Sequence, residues 1–302
     1  MKELMPLVSI LIPTYNRPDY FKIAFESALN QTYSNIEIIV CDNSTNEKTS
    51  EFIKPFLSNK RVKYYRNYEA KTKKDNFKKF KDIVKGEYIN WLMDDDVLHI
   101  DKIKIMVDVY LNNNVSIVTS FRNFIDGDGN LLKNKSILNE TAILNGKDTG
   151  KKLLLNLSNF IGEPTTVLIK RDLLENHYWE ADCRGYKAIS DVVMWLELLK
   201  KGDLAYIVNP LSSFRIHNNQ EQSNINVIIL SRIEWYKIFV EEYDDKYFIE
   251  SNDEYLQFCK KIIEDNTLIL ELCKDNINNI DINIYEEYAN IIKNIKELIS
   301  IL

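Results

Sequence analysis

The chain has 302 residues, 45% of them hydrophobic, so it can bury a sizeable core in one large domain with an appendage or in two domains. Acidic residues outnumber basic ones by 45 to 39, and this balance argues against a nucleic-acid-binding protein, which usually carries a basic stripe. No apolar run approaches the roughly 18 residues that a transmembrane helix needs. The N-terminus does not read as a signal peptide, and the four cysteines show no metal or disulfide spacing. We therefore expect a cytoplasmic protein with free thiols and no transmembrane segment.

The first 120 residues alternate between short apolar runs and segments with helical spacing, which is the pattern of a parallel sheet covered by helices on both faces. The apolar runs predict strands at residues 8–12, 36–41, 62–66, 88–92 and 116–121. Helical spacing predicts helices at residues 19–30, 47–57, 75–85 and 101–111. Asp19 is the predicted N-cap of the first helix, and Gly86 is predicted to stop the third.

The middle of the chain changes character at residues 125–130, where Gly and Asp residues predict a hairpin turn. A strand at 165–170, a helix at 191–200 and two strands at 204–208 and 211–214 follow. From about Ile225 onward the pattern is helical and predicts three helices. We therefore predict a catalytic domain over residues 1–222 and a C-terminal helical region over residues 223–302.

Polar residues follow three of the predicted strands at the point where each strand ends. Open parallel sheets bind ligands beyond the carboxyl ends of their strands, so these residues are expected to meet at one edge. They are Pro13 to Arg17 after the first strand, Asp42 to Ser44 after the second, and Asp94 to Asp96 after the strand at 88–92.

The three consecutive aspartates are the sharpest signal in the sequence. Their carboxylates repel one another, and a hard divalent cation such as Mg²⁺ or Mn²⁺ would offset that repulsion. The alternative is a solvated turn in which one aspartate caps the next helix.

The other candidate residues each have a functional and a structural interpretation. Asp42 fits a contact to a base or ribose, or an Asx-turn. Asp191 fits a general base, or a helix N-cap. His217 fits a metal ligand beside the aspartates, or a structural histidine. A basic cluster fits the neutralisation of a diphosphate, or a solvated helix face, and Asn76 within it fits a donor contact or an N-cap. That cluster contains Lys71, Lys73, Lys74, Lys78, Lys79 and Lys81.

Several segments, taken in this order, resemble the family 2 glycosyltransferases. The family's opening strand and loop, its second strand, its DxD motif, a mid-chain segment of a bacterial subgroup, its "ED" helix and its closing strand have counterparts here. These are residues 8–17, 36–44, 86–96, 162–167, 190–196 and 211–217. The resemblance covers roughly residues 6–220.

The resemblance implies a GT-A fold, which is a doubly wound, mostly parallel sheet flanked by helices, here with a helical C-terminal appendage. It also implies an inverting enzyme that uses Mn²⁺ or Mg²⁺ and a nucleotide-sugar donor, with a UDP-sugar expected first. Asp191 would be the catalytic base, although Ser190 stands where the family commonly has Glu. Asp96 would ligate the metal, with His217 as a further metal or phosphate contact. The donor contacts would be Pro13, Thr14, Tyr15, Arg17, Asp42, Asn76, Asp94 and Asp95.

Two other functions compete with this interpretation. A nucleotidyltransferase also binds nucleotides with carboxylates and Mg²⁺, but the loop after the first strand lacks the glycines that those enzymes usually show there. A catalytically inactive scaffold is the non-enzyme alternative. Acceptors compatible with the resemblance are surface glycans, lipid-linked glycans and protein hydroxyls such as those of flagellin. The C-terminal helices are compatible with acceptor binding, with a homodimer and with a peripheral position at the inner membrane face, and their structural alternative is to cap the core.

Overall fold

The computed structural model describes residues 5–70, 72–174, 179, 183–217, 220 and 223–301. Lys71 of the basic cluster and the end of the predicted catalytic domain at residue 222 lie outside these ranges, so the domain boundary stays a prediction. The described strands are β1 Val8–Thr14, β2 Ile36–Asp42, β3 Val62–Arg66, β4 Tyr88–Trp91, β5 Val97–Leu98, β6 Val115–Ile125, β7 Leu131–Leu132, β8 Ala142–Leu144, β9 Leu168–Lys170 and β10 Asp203–Arg215.

These strands form one sheet in the order β3-β2-β1-β4-β9-β6-β10-β5, with β7 added to β6 and β8 added to β10. Strands β3, β2, β1 and β4 run parallel, and so do β6 and β10. Strand β9 is antiparallel to β4 and β6, between which it lies. The carboxyl ends of β1, β2 and β4 therefore meet at one edge, as the sequence predicts.

The described helices cover both faces of the sheet and then continue beyond it. They are α1 Pro18–Leu29, α2 Lys48–Ile53, α3 Lys73–Ile83, α4 Lys102–Asn112, α5 Gly146–Leu155, α6 Ser190–Leu199, α7 Ile225–Asp245, α8 Asn252–Asp275 and α9 Ile282–Ile301. No helix in the described ranges is long and apolar enough to cross a bilayer.

Alternate residues of β1 point into two separate cores, which explains its continuous apolar sequence. Ile10 belongs to the core that β1 shares with α1 and α4. Leu11 belongs to the core on the other face, which contains α3, α5 and α6 and continues into the three C-terminal helices. The C-terminal helices therefore bury their apolar faces against the domain that carries the strand ends. The thiols of Cys41, Cys183, Cys259 and Cys273 are buried.

Two of the predicted helix ends are wrong. Helix α1 begins at Pro18, so Asp19 lies in its first turn, and Arg17 at the N-cap position makes no side-chain cap. Gly86 does not stop α3, which ends at Ile83. It is instead a point of close approach, because a Cβ there would lie 2.5 Å from the backbone nitrogen of Ser9.

Prolines account for two further differences. The helix predicted over 47–57 is α2 followed by a 3₁₀ turn at Lys54–Ser58, because Pro55 cannot donate the hydrogen bond that would continue an α-helix. The strands predicted at 204–208 and 211–214 are one strand, β10, whose register shifts around Pro210. Residues 164–166 form a 3₁₀ turn, so the strand predicted from Thr165 starts only at Leu168.

Candidate active site

A cleft of about 680 Å³ opens where the carboxyl ends of β1 and β4 face the N-termini of α3 and α6. Its walls include eight of the eleven predicted site residues: Pro13, Thr14, Tyr15, Arg17, Asn76, Asp94, Asp95 and Asp191. It is also lined by Lys187, Ala188, Ser190, Phe214, Gln220 and two residues of α7, Val227 and Leu230. One cavity therefore joins the predicted donor residues to the predicted base.

Asp94 is fixed by the loop that follows β1. Its Oδ2 accepts hydrogen bonds from the Thr14 hydroxyl at 2.9 Å and from the Tyr15 backbone N–H at 3.3 Å. Its Oδ1 lies 3.3 Å from the guanidinium of Arg17. Burial and the neighbouring charge of Asp95 raise the pKa of Asp94 to about 6, although Arg17 and the hydrogen bonds lower it.

Asp95 is the aspartate that meets His217. The Asp95 Oδ2 atom lies 3.1 Å from His217 Nε2 and 2.8 Å from Arg17 Nη1. The ring of Tyr20 lies 4.9 Å from that of His217 and helps to fix it. A carboxylate and an imidazole are thus in direct contact at the edge of the cleft.

Asp96 turns away from the cleft. Its Oδ2 accepts a 2.6 Å hydrogen bond from the Thr165 hydroxyl, and its Oδ1 accepts a 3.1 Å bond from the Arg215 backbone N–H. The residue is 1% exposed. Burial, followed by the charge of Asp95, raises its pKa well above the usual range. Each oxygen of Asp96 thus accepts a hydrogen bond behind the site, whereas its predicted role as the metal ligand would need one of them to reach the cleft.

The described residues contain no group of three or more His, Cys, Asp and Glu side chains that could hold a metal ion alone. Asp95 and His217 nevertheless place a carboxylate oxygen and an imidazole nitrogen, both possible ligands of a divalent ion, 3.1 Å apart. Mg²⁺ is commonly held by only one or two carboxylates plus substrate phosphates. The pair therefore fits a divalent ion that a diphosphate helps to bind.

Asp42 lies behind the cleft wall and is fully buried. It forms an ion pair with Arg66 at 2.6 Å and accepts hydrogen bonds from the hydroxyl of Tyr64 and from the backbone N–H of Ser44, both at 2.8 Å. The Asx-turn that the sequence allows is therefore present. Asp42 shapes the end of β2 from within rather than lining the cavity.

The loops after β1 and β2 are tied together by Asn16. This residue adopts a left-handed backbone with φ of 56°, which asparagine tolerates better than most residues. Its Oδ1 accepts hydrogen bonds from the Thr45 backbone N–H and from the Asn46 side chain, both at 2.9 Å, while its own N–H donates to the Ser44 hydroxyl at 2.8 Å. The two strand-end loops thus form one connected surface.

Asn76 lies at the cleft on α3, but it is not the cap of that helix. Thr72 is the N-cap and forms a capping box with Asp75. Asn76 is 2% exposed, and its Nδ2 donates to the backbone oxygen of Cys41 at 2.8 Å. Its buried Oδ1 has no hydrogen-bond partner among the described residues, so it remains available to a ligand.

Asp191 lies in the first turn of α6 and lines the same cleft as Asp94. Its Oδ2 accepts a 2.8 Å hydrogen bond from the side chain of Asn159. Burial raises its pKa to about 6, to which the charge of Glu163 also contributes, whereas the Val192 backbone bond and the charge of Lys73 lower it. A carboxylate with this pKa suits proton transfer near neutral pH better than an ordinary aspartate does.

The loop at residues 159–166, for which the sequence predicts no contacts, connects the two halves of the site. Asn159 bonds to Asp191, and Thr165 bonds to Asp96. Between them, Glu163 lines the cleft and forms an ion pair with Arg122 at 2.6 Å. Gly162 has a φ of +105°, and its carbonyl accepts a 2.9 Å bond from Trp195 of α6. The Gly-Glu-Pro-Thr-Thr motif was visible, but its contacts depend on the tertiary fold.

Comparisons with known proteins relate this chain to glycosyltransferases. The family model described as Glycosyl transferase family 2 matches residues 9–178. The UDP-Glc:alpha-D-GlcNAc-diphosphoundecaprenol beta-1,3-glucosyltransferase WfgD of Escherichia coli is 29% identical over 201 residues, which are 67% of this chain and 73% of WfgD. The GalNAc(5)-diNAcBac-PP-undecaprenol beta-1,3-glucosyltransferase of Campylobacter jejuni is 28% identical over 215 residues, 70% of this chain and 65% of that protein.

Solved structures agree in fold. Residues 1–349 of S. aureus TarS in complex with UDP-GlcNAc align with a TM-score of 0.63 at 12% identity, covering 95% of this chain and 80% of that one. The mannosyltransferase PcManGT from Pyrobaculum calidifontis, in complex with GDP-Man and Mn²⁺, aligns with a TM-score of 0.60 at 12% identity, covering 95% and 79%. These likenesses confirm the predicted GT-A-like fold. Since the family model spans more than half of the chain, the protein belongs to glycosyltransferase family 2.

Proposed function

We propose that this protein is an inverting, metal-dependent glycosyltransferase that moves a hexosyl or N-acetylhexosaminyl group from a nucleotide-diphosphate sugar to an acceptor hydroxyl. The observation that carries the proposal is that Asp191, with a pKa of about 6, shares one cleft with Asp94 and Asp95. The cleft thus combines a base with carboxylates suited to a metal–diphosphate site. The donor's anomeric carbon would lie between them.

The loop after β1 and the N-terminus of α3 would hold the nucleoside. Thr14, Tyr15 and Asp94 form a hydrogen-bonded group at the cleft, and the buried Oδ1 of Asn76 offers an acceptor to a base N–H. A UDP-sugar is the donor we favour, because the name of WfgD specifies UDP-Glc and the TarS structure contains UDP-GlcNAc. Arg17 lies where it could transfer one of its contacts from the carboxylates to a phosphate.

Asp95 and His217 would hold the divalent ion, which when bound stabilises the negative charge on the leaving diphosphate. This assignment replaces Asp96, whose buried hydrogen bonds to Thr165 and Arg215 give it a supporting role. Asp96 would keep the turn of Asp94 and Asp95 in place. The Mn²⁺ complex of PcManGT supports the use of a divalent ion and leaves the choice between Mn²⁺ and Mg²⁺ open.

Asp191 would take the proton of the acceptor hydroxyl as that oxygen attacks the anomeric carbon. The new carbon–oxygen bond forms as the bond to the diphosphate oxygen breaks, so the configuration at carbon inverts. Asn159 holds one carboxylate oxygen of Asp191. The hydrogen bond comes from a neutral group and therefore orients the base without neutralising it.

The acceptor we favour is a lipid-linked glycan, because the names of both the E. coli and the C. jejuni relatives specify undecaprenol-linked acceptors. Such a substrate would place this cytoplasmic protein at the inner membrane face during turnover. Surface polysaccharide and protein acceptors such as flagellin, and a homodimer built on the C-terminal helices, are the other arrangements that the sequence leaves open.

The proposal is tested by measuring free nucleotide released from a panel of UDP-, GDP- and dTDP-sugars with Mn²⁺ or Mg²⁺, followed by a chelator. We expect release from one donor, loss of release with the chelator, and a rise in rate when GlcNAc-diphosphoundecaprenol is added. Donor binding is measured in parallel. A chain that neither binds nor releases any nucleotide would be the inactive scaffold instead.

A further inference from the structure

Helix α7 lies outside the region that the family model matches, yet it forms part of the cleft. Its Val227 and Leu230 line the same cavity as Lys187 and Asp191. Because Asp191 is the proposed base, an acceptor hydroxyl would have to reach the part of the cavity that contains it. The C-terminal helices therefore contribute directly to the wall that carries the base.

Glu234 lies one helical turn after Leu230 on α7, and its side chain contacts the backbone that leads into Asp191. Its Oε1 accepts a 2.9 Å hydrogen bond from the Lys187 N–H. Its Oε2 accepts bonds from the Ala188 N–H at 2.8 Å and the Ile189 N–H at 3.0 Å. Glu234 is 5% exposed, so one buried carboxylate holds three consecutive backbone amides.

This contact fixes the backbone immediately before α6. The N-cap position is Ile189, which has no side chain able to cap, and α6 begins at Ser190. The first amides of a helix have no partner within the helix, and here Asp191 Oδ1 accepts the Val192 N–H at 2.8 Å, whereas Glu234 bonds the three amides that precede the helix. The carboxylate that usually precedes the base in this family is Ser190 here, and Glu234 brings a carboxylate to the same turn from another helix.

We infer that Glu234 is a positioning residue for Asp191, so that the part of helix α7 around Glu234 supports the proposed base. The inference rests on the proposed role of Asp191 as the base. Three bonds from one rigid helix fix the backbone at 187–189, and Asn159 fixes the side chain of Asp191. Together they hold the carboxylate towards the acceptor, and a displacement of about 1 Å would cost on the order of 100-fold in rate.

The chain contains a matched control on the same helix. Glu242 of α7 is also buried, 1% exposed, and its Oε1 accepts a 2.8 Å bond from Lys200 at the opposite end of α6. Glu234→Gln and Glu242→Gln each neutralise one buried carboxylate between the same two helices. Only the first lies beside Asp191, so a general loss of stability and a loss of positioning can be separated.

The experiment compares kcat and the KM for the donor in Glu234→Gln, Glu242→Gln, Asp191→Asn and the double variant Glu234→Gln/Asp191→Asn. We expect Glu234→Gln to lower kcat by 10- to 100-fold with the donor KM within twofold of wild type, and Glu242→Gln to leave both within twofold. In the Asp191→Asn background, Glu234→Gln should lower kcat no further, because it acts through Asp191.

A kcat of Glu234→Gln within twofold of wild type, or an equal further loss in the Asp191→Asn background, would overturn the inference and leave the proposed function standing. Full activity of Asp191→Asn would overturn both the inference and the role of Asp191 as the base in the proposed function. If Glu234→Gln cannot be obtained folded, Glu234→Asp is measured in the same way. It keeps the charge and shortens the side chain, and we expect an intermediate kcat.

Discussion

The cleft has two groups of carboxylates with different partners. We call the loops after β1, β2 and β4 the donor wall and the segment that carries Asp191 the acceptor wall. On the donor wall, Asp42 is paired with Arg66 and Asp95 with Arg17. On the acceptor wall, Asp191 accepts its side-chain hydrogen bond from the neutral amide of Asn159, and its pKa is raised to about 6. Burial raises the pKa of Asp94 on the donor wall to about 6 as well, but there the guanidinium of Arg17 contacts the carboxylate, whereas the side-chain hydrogen bond of Asp191 comes from a neutral amide. Each wall can be tested separately.

The largest effect is expected on the acceptor wall. Asp191→Asn removes the group that accepts the proton, so kcat should fall on the order of 10³-fold. The donor KM should stay within threefold, because the proposed role of Asp191 is towards the acceptor hydroxyl and not towards the nucleoside. Steady-state kinetics with saturating acceptor measure both quantities, and Asp253→Asn, an exposed position in the first turn of α8, is the control. A large rise in donor KM would place Asp191 on the wrong wall.

On the donor wall, the second prediction tests Asp95 and His217 as the ligands of the divalent ion. Asp95→Asn and His217→Ala should each raise the Mn²⁺ concentration needed for half-maximal activity by roughly 10- to 100-fold, because each removes one of two protein donors. Asp96→Asn should change that concentration less than twofold, since its side chain is buried behind the site. The three variants are titrated with Mn²⁺ at fixed donor. A dependence changed only by Asp96→Asn would restore the sequence-based assignment.

The pH dependence of kcat is expected to follow from the pKa of Asp191. With a pKa of about 6, Asp191 is mostly ionised at pH 7 and about 10% ionised at pH 5, so kcat should fall roughly tenfold between them. Glu163 raises this pKa and Lys73 lowers it, so Lys73→Met should move the acid limb of the profile to higher pH. A kcat that is flat from pH 5 to 7 would contradict the assignment.

The raised pKa of Asp191 predicts that stability changes with pH in the opposite direction to kcat. The folded-state pKa of Asp191 lies above its unfolded value, so its contribution to stability is fully present below pH 4 and is lost as pH rises through 6. Asp191→Asn should therefore raise the free energy of unfolding at pH 8, on the order of 1 kcal/mol, and raise it less at pH 5. Urea unfolding at the two pH values measures this difference.

The smallest catalytic effect is expected for Arg66, the cation that pairs with Asp42. Arg66→Met leaves the buried carboxylate of Asp42 without its ion-pair partner, which should cost about 3 kcal/mol of stability. The donor KM should rise several-fold while kcat changes little, because Arg66 lies behind the nucleoside loops. Arg184→Met removes an ion pair with Glu197 and Glu241 nearer the surface and should cost under about 1 kcal/mol.

The donor wall was largely predictable from the sequence, because each parallel strand is a short apolar run and its polar residues follow directly. Thr14 and Asp94 meet since β1 and β4 are neighbours in parallel register. What the sequence could not distinguish was the direction of each aspartate. Asp95 and Asp96 are adjacent, and only the partners Thr165 and Arg215 decide that Asp96 turns inward.

The acceptor wall was predictable only at Asp191. Its supports come from residues 32 positions upstream, at Asn159, and from Glu234, which is 45 residues from the amide of Ile189. Neither has a local signature, since an asparagine in a loop and a glutamate on a helix are common surface residues. Gly86 was misassigned for a related reason, because its close approach to Ser9 depends on strand pairing.

The bonds of Asn16 have a consequence for the thermodynamics and the rate of donor recognition. Because the loops after β1 and β2 are already connected in the free protein, a nucleotide arriving at this edge need not order them. Its association should therefore be fast and carry only a small conformational-entropy penalty. The free energy of nucleoside binding then remains available to hold the sugar against the opposite wall.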